Sequence, residues 1–425
     1  MYDKGKKHIK IYFHTLGCRL NQAEAERMAQ GFILAGHEVV DDERSADIRV
    51  VNTCTVTDEA GKKSRRAARP MRHGQKVVVT GCHSEVTPDA FTQAELIVSN
   101  VDKERLVGLT LEKFGMDGLS LGMDYKPLGR LPIYPLILDH TRAFVKIQDG
   151  CNLRCSFCLT TIARGASQSR QANEIIGEIQ GLAQKGCQEV VLTGVHGGAY
   201  GDGATDLGLL LERILEETPI PRVRLSSLEP WNFKYSWMTL WTDYKPRLCR
   251  HLHMSLQSGS DSVLRRMRRS YDVNIYAEKI DALYKGIPGI AITTDIIVGF
   301  PGETNDEHGE SIEFIKQMNY AGAHIFTFSP RPGTDAATMS DQIPRDVKQH
   351  RYKEVKATTD LLAATYRKSM VGNMLPVLWE RQEANSLFSG LSDNYMRVQT
   401  QNARLNTISS VKIDTIEGNN LRTNI

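Results

Sequence analysis

In the amino-terminal part of the chain, short apolar runs alternate with stretches whose apolar residues recur every three to four positions. Ile9 to His14, Ile48 to Thr53 and Lys76 to Thr80 read as strands, with a shorter one at Leu96 to Val98. Asn21 is placed to cap a helix that runs through Ala23, Glu24, Met28 and Phe32 and stops at Gly36. Further helices cover about Asp58 to Arg72, a stretch near Pro88, and Asp102 to Phe114. Alternation of this kind predicts a doubly wound α/β layer, a parallel sheet with helices on its faces. The period is lost from about 115 to 140, where Gly115, Gly118, Gly122, Pro127, Pro132 and Pro135 have the composition of a linker.

Alternation resumes at Arg142 to Ile147. Strands follow at Glu189 to Thr193, Val223 to Ser227, His251 to Gln257, Ile290 to Val298 and His324 to Ser329. Amphipathic helices at Asn173 to Gln184, Leu207 to Glu217, Ile275 to Tyr284 and Asp306 to Met318 separate them. Repeated strand-helix units predict an incomplete parallel (β/α)6 barrel with its ligand loops at the strand carboxyl ends. Those ends carry polar or glycine-rich turns, among them Thr193-Gly194-Val195-His196, Ser227-Leu228-Glu229-Pro230, Leu256-Gln257-Ser258-Gly259 and Gly299-Phe300-Pro301-Gly302-Glu303-Thr304. From about Arg367 the pattern changes to short apolar runs, Met374 to Trp379, Tyr395 to Gln399 and Val411 to Ile416, as in a small β-barrel. Three domains are therefore expected, 1–136, 137–366 and 367–425.

Cysteine placement adds chemistry to this pattern. The stretch Cys151-Asn152-Leu153-Arg154-Cys155-Ser156-Phe157-Cys158 sets three thiols at x3 and x2 spacing directly after a strand. Soft ligands so close together favour zinc or an iron–sulfur cluster over magnesium or calcium. A structural zinc site wants a fourth ligand at short spacing, and none follows Cys158 closely. Three thiolates on a four-iron cube leave one iron open. Cys18, Cys54 and Cys82 each close a predicted strand, and in a parallel sheet the strand carboxyl ends share one edge. A second three-thiolate cluster is expected there. Cys187 and Cys249 have no partner at useful spacing and are assigned to the core.

Composition narrows the class. With 41% hydrophobic and 24% charged residues, the chain is neither disordered nor membrane-like, and no apolar run reaches the length of a span. Eight cysteines in 425 residues are too few and too unevenly placed for a secreted disulfide scaffold, so a cytoplasmic location is expected. A net charge of +3 does not itself demand a nucleic-acid partner. Local charge is more telling: Lys62, Lys63, Arg65, Arg66 and Arg69 cluster on the helix after Cys54, beside the proposed edge, where they suit phosphate contacts. Arg381, Tyr395 and Arg397 make the carboxy-terminal part a second candidate for RNA contact.

The C-x3-C-x2-C stretch with Phe157 before its last cysteine resembles the signature of the radical S-adenosylmethionine (SAM) superfamily. Taken with Thr15-Leu16-Gly17-Cys18-Arg19-Leu20-Asn21-Gln22, Asn52-Thr53-Cys54, Gly81-Cys82, Asp149-Gly150-Cys151-Asn152, Arg164-Gly165, Leu256-Gln257-Ser258-Gly259 and Gly299-Phe300-Pro301-Gly302-Glu303-Thr304, the whole chain resembles the radical-SAM methylthiotransferases. The Thr-Leu-Gly-Cys-Arg-Leu-Asn start is most like the group acting on threonylcarbamoyladenosine beside the tRNA anticodon. Two departures stand out: Thr161 replaces a common proline, and His83-Ser84-Glu85 replaces a more usual Tyr-Ala-Gln.

The resemblance implies an amino-terminal three-cysteine domain, a radical-SAM domain and a carboxy-terminal TRAM domain. It implies two 4Fe–4S clusters, one on Cys18, Cys54 and Cys82 and one on Cys151, Cys155 and Cys158, with SAM on the latter. No side chain is implied as acid or base; SAM cleavage yields a radical that attacks C2 of adenine, and the other cluster delivers the methylthio group. Phe157, Gly194, His196, Glu229, Gln257, Gly299 and Glu303 are the expected SAM contacts. The implied partners are tRNA, an electron donor and a sulfur source, without a membrane. Isopentenyladenosine in tRNA and an aspartate of a ribosomal protein are alternative substrates within the family. A non-catalytic, zinc-bound RNA-binding protein is the alternative from another class.

Overall fold

The computed structural model describes residues 8–116, 141–384 and 386–424. The first seven residues, nearly all of the predicted linker and the expected boundary at 136/137 lie outside the described residues. The chain forms two compact units. One holds the residues up to Asn152 with Leu159–Gly186 and Thr193–Val195; the other holds Leu153–Cys158, Cys187–Leu192 and everything from His196 onward.

In the first unit, five parallel strands lie in the spatial order Glu38–Val39, Lys10–Thr15, Ile48–Thr53, Lys76–Gly81, Leu96–Ile97. The central strand, Ile48–Thr53, is buried along its whole length, as expected where helices cover both faces. On one face Ile11, Phe13, Val50 and Val78 pack with Met28, Phe32 and Leu106; on the other Val51, Val77 and Val79 pack with Ala67, Ala68 and Phe91. Strand order reverses between Lys10–Thr15 and Ile48–Thr53, and ligand crevices open outside the carboxyl ends at such a switch point.

Helix Arg19–Leu34 contacts the strand Lys10–Thr15 and also Ala143–Lys146. Its polar residues Asn21 and Glu24 are consequently buried along with Leu20, Ala23 and Met28. The cap position belongs to Cys18, not Asn21. Asn21 lies inside the first turn, and its amide nitrogen donates to Leu16 O at 2.7 Å and Thr53 O at 3.0 Å. The helix after Cys54 spans only Asp58–Ala67, because Pro70 disfavours the helical conformation at Arg69.

In the second unit, Glu189–Leu192 pairs in parallel with Arg222–Leu225. Ser227–Leu228, His251–Met254, Ala291–Val298 and Gly322–Thr327 form a four-stranded parallel sheet in chain order. Helices Leu207–Glu217, Val273–Gly286 and Asn305–Gln317 alternate with these strands, so the α/β pattern holds. Sequence patterning assigned no element to Arg345–Ser369, which is a 25-residue helix. Its buried positions are Arg351, Val355, Thr359 and Ala363, too polar a stripe to register as an apolar period. Beyond it, six strands form a mostly antiparallel sheet around Leu375, Val377, Trp379, Val398 and Leu421. Cys187 and Cys249 are buried, as assigned.

Glu189 ties this sheet to the parallel strands. Its carboxylate, wholly buried, bonds Arg222 and Arg224, with Arg224 Nε 2.8 Å from Glu189 Oε1. The same guanidiniums donate to main-chain carbonyls of the carboxy-terminal sheet, Arg222 to Leu391 O at 3.0 Å and Arg224 to Ser392 O at 3.0 Å and Asp393 O at 2.9 Å. Removing one partner of a buried pair leaves an uncompensated charge, which costs about 3–5 kcal/mol. Glu189→Ala is therefore expected to lower stability by about that amount, read as a shift in the urea midpoint by tryptophan fluorescence.

Candidate active site

Three neighbouring strands deliver Cys18, Cys54 and Cys82 to one edge of the first unit's sheet. Thr15 is in register with Asn52, and Thr53 with Gly81, so the three chain exits lie side by side. Two glycines make the close approach possible. A Cβ on Gly17, whose φ is +98°, would lie 2.6 Å from Cys54 Sγ; one on Gly81, at φ +103°, would lie 2.5 Å from the Thr53 backbone. Ser64 fixes the Cys54 backbone by accepting from its N–H and donating to its carbonyl, each at 3.0 Å. Burial pushes the Cys54 thiol up to about 11. A bound metal reverses that preference, because a coordinating thiol is deprotonated outright. Among the described residues, no three His, Cys, Asp or Glu side chains close round one point as a single-ion site requires. A four-iron cluster takes its thiolates on different irons, and a soft, all-sulfur donor set in a glycine-lined cradle fits it.

A buried charge network adjoins this edge. Arg164 Nε donates to Cys82 Sγ at 3.2 Å. The same guanidinium bonds Glu24 at 2.9 Å, Asp149 at 2.9 Å and Asn21 Oδ1 at 2.7 Å. Lys103 Nζ and Lys146 Nζ approach Glu24 at 2.8 and 3.4 Å. Burial alone would raise the Glu24 pKa, but Lys103, Arg164 and Lys146 outweigh it and hold the carboxyl well below the usual range. Glu24, Lys103 and Lys146 were not singled out from sequence, although Glu24 follows Asn21 by one helical turn. Of the two departures, His83 takes Arg65 NH1 at 3.1 Å and stands edge-on to Phe91 at 5.3 Å. Thr161 Oγ1 donates to Cys151 O at 3.2 Å, a bond that proline cannot make.

Cys151 belongs to the first unit, where its N–H donates to Gly165 O at 3.1 Å. Gly150 before it has φ +67°, and a Cβ there would come 2.0 Å from Ala166 O. Cys155 and Cys158 belong to the second unit. Cys155 Sγ accepts from Arg269 NH1 at 3.2 Å, and the Arg269 guanidinium lies over the rings of Trp231 and Tyr271 at 4.9 and 5.3 Å. No sequence signal marked Arg269 or Trp231. Phe157 packs edge-on against Phe300 at 6.5 Å.

The expected SAM contacts have distinct surroundings. In the first unit, a Cβ on Gly194 would lie 3.0 Å from Gln148 Oε1. In the second, Glu229 is nearly enclosed; burial raises its pKa, and among the described residues no hydrogen bond reaches its Oε2, from which His196 Nε2 stands 3.4 Å away. An orphaned buried carboxylate oxygen fits a cofactor's amino or hydroxyl group. Gln257 has φ +68°, with its N–H on Asp295 O at 2.8 Å. Glu303 is engaged by the turn it belongs to: its Oε2 accepts from Gly299 N at 2.7 Å and from Arg351 NH1 at 2.7 Å.

The basic helix shows small residues Gly61, Ser64 and Ala67 to the core and its cations to solvent. Lys62 and Lys63 pair with Asp58 and Glu59 one turn earlier, at 2.8 and 4.0 Å, while Arg66 and Arg69 are exposed. Arg381 approaches Glu383 at 3.6 Å, and Arg397 bonds Glu380 at 2.6 Å. Tyr395 is stacked on His251 at 4.3 Å under the Arg224 guanidinium. Among the described residues no helix is long and apolar enough to cross a membrane.

Residues 145–315 match the Radical SAM superfamily, and residues 10–101 match Uncharacterized protein family UPF0004. The chain is 38% identical to the threonylcarbamoyladenosine tRNA methylthiotransferase MtaB of Bacillus subtilis over 91% of this chain and 89% of that one. It is 34% identical to the MtaB of Thermotoga maritima over 96% and 94%, and 30% identical to the tRNA-2-methylthio-N(6)-dimethylallyladenosine synthase of Chlorobium limicola over 89% and 88%. In fold it is similar to the radical S-adenosylmethionine methyltransferase TsrM of Kitasatospora setae, with TM-score 0.58 and 14% identity over 78% of this chain and 77% of that one. With two cysteine sets presented by an α/β scaffold and full-length relatives of this kind, the chain belongs to the radical-SAM methylthiotransferase family.

Proposed function

We propose that this chain transfers a methylthio group to C2 of N6-threonylcarbamoyladenosine in tRNA, next to the anticodon. The observation that carries this reading is the pair of three-cysteine sets in a chain aligned almost end to end with MtaB proteins. Cys18, Cys54 and Cys82 hold one 4Fe–4S cluster, and Cys151, Cys155 and Cys158 hold the other, to which SAM binds. When bound, these groups supply the one-electron chemistry that reaches an unactivated C–H bond and the sulfur that replaces its hydrogen.

The protein's own residues position and insulate. Gly17 and Gly81 admit the Cys54 sulfur and the Thr53 backbone at distances no side chain would allow. Glu229 offers its orphaned oxygen to SAM, His196 stands beside it with its Nε2 bonded to Asn232 Oδ1, and Glu303 with Arg351 keeps the Gly299 turn in shape. Lys62, Lys63, Arg65 and Arg66 on the helix after Cys54 meet the phosphate backbone of tRNA, whereas Arg69 lies past that helix, its carbonyl accepting from Arg49 near the amino end of the strand Ile48–Thr53. The parallel strands of the central region form an incomplete (β/α)6 barrel and the carboxy-terminal sheet a TRAM domain, with Arg381 and Arg397 toward RNA, while the Tyr395 ring is taken up by His251 and Arg224. The domains are 1–136, 137–366 and 367–425, and the enzyme works in the cytoplasm with an electron donor and a sulfur source.

Anaerobically reconstituted protein, incubated with tRNA, SAM, sulfide and dithionite, is expected to yield 2-methylthio-threonylcarbamoyladenosine in nucleoside mass spectra. An adduct found on isopentenyladenosine or on ribosomal protein instead, or zinc in place of iron and labile sulfide, overturns the assignment. Cys54→Ala is expected to abolish thiolation while SAM is still reductively cleaved, whereas Cys155→Ala loses both. Gly150→Ala forces a strained backbone against Ala166 O, at a cost on the order of 1–3 kcal/mol. Lower iron content and slower SAM cleavage are its expected signature.

A further inference from the structure

Arg164 is bonded to more partners than a structural ion pair needs. Its side chain is buried, and it touches two carboxylates, one amide oxygen and one thiol. Among the described residues the linked charges do not balance one another. Arg164, Lys103 and Lys146 bring three positive charges, and Glu24 and Asp149 bring two negative ones. A buried excess charge is costly unless something opposite completes it. The group in contact is the sulfur of Cys82, 3.2 Å from Arg164 Nε, which carries negative charge when it ligates a metal.

The geometry also fixes the direction of that bond. Glu24 accepts from NH1 and NH2, Asp149 from NH1 and Asn21 from NH2, which leaves Nε for the sulfur. Asn21 in turn holds the loop at Leu16, two residues before Cys18, and the strand end at Thr53, directly before Cys54. Arg164 is thus clamped to the same framework that carries all three cysteines.

We infer that Arg164 is a positioning residue whose charge-assisted hydrogen bond to Cys82 sets the reduction potential of the Cys18, Cys54, Cys82 cluster, with Glu24 limiting how much of its charge that cluster feels. This rests on the reading that these cysteines hold a cluster. Reduction adds negative charge to a cluster, so a nearby cation and a hydrogen bond to its sulfur favour the reduced form. Removing Arg164 lowers the potential. Neutralising Glu24 unmasks Arg164, Lys103 and Lys146 and raises it.

The test uses the full-length chain carrying Cys151→Ala, Cys155→Ala and Cys158→Ala, so that one cluster alone is reconstituted. Its potential is read by redox titration followed by electron paramagnetic resonance. Arg164→Gln is expected to make the reduced form about tenfold scarcer at a fixed potential, about 59 mV for one electron, and Glu24→Gln to make it more abundant by a similar factor. Shifts of the same sign, or none in variants that retain iron, overturn the role of Arg164, since a merely structural residue gives no opposed pair. If Arg164→Gln does not retain the cluster, Glu24→Gln decides: a rise supports the inference, and no change or a fall overturns it. If the parent chain itself binds no iron, the cluster reading fails first, and the inference with it.

Discussion

Parallel pairing is the constraint on which the first unit rests. It puts the carboxyl ends of adjacent strands on one edge, so residues separated by whole strand-helix units meet there without further design. Thr15, Asn52 and Thr80 are neighbours across that edge by register. The cysteines that follow these strands inherit their proximity. The packing of Val50 and Val78 against helices on one face, and of Val51 and Val79 on the other, also holds the cysteine loops in place.

Buried charge is the second organising element. Glu24 is enclosed because helix Arg19–Leu34 is covered from two sides, and Glu189 because two arginines reach past it to the carboxy-terminal sheet. Both carboxylates are surrounded by more than one cation. Such networks contribute little net stability compared with apolar packing, but they are sensitive to geometry. In the Glu189 network that sensitivity ties the antiparallel sheet to the parallel strands. In the Glu24 network it fixes a guanidinium on a cysteine sulfur.

Glycine and capping geometry complete the candidate site. Gly17, Gly81, Gly150 and Gly299 all have positive φ, and a Cβ on them would collide with Cys54, the Thr53 backbone, Ala166 O and the Lys348 side chain in turn. The Gly299 turn is further held by the Glu303 carboxylate, itself anchored by Arg351 from the long helix Arg345–Ser369. A residue expected to meet the cofactor therefore supports the turn that is expected to do so. Thr161 has a comparable local duty, since its hydroxyl holds the carbonyl of Cys151.

The sequence by itself determined the alternation of strands and helices, the two sets of three cysteines and the glycine turns after the strands. These are legible because apolar period and ligand spacing are local properties of the chain. It also marked Arg164 as part of a motif, without a role. It did not reveal the long helix Arg345–Ser369, whose buried stripe is half polar, nor that Asn21 works inside its helix rather than capping it. Glu24, Lys103, Lys146, Arg269 and Trp231 were likewise invisible. A charged side chain reads as solvated until something covers it, and the partners of Glu24 lie as far away as Lys103 and Arg164 in the chain. Only tertiary packing decides which charges lose their water, and that loss is what turns an ordinary glutamate and arginine into part of a site.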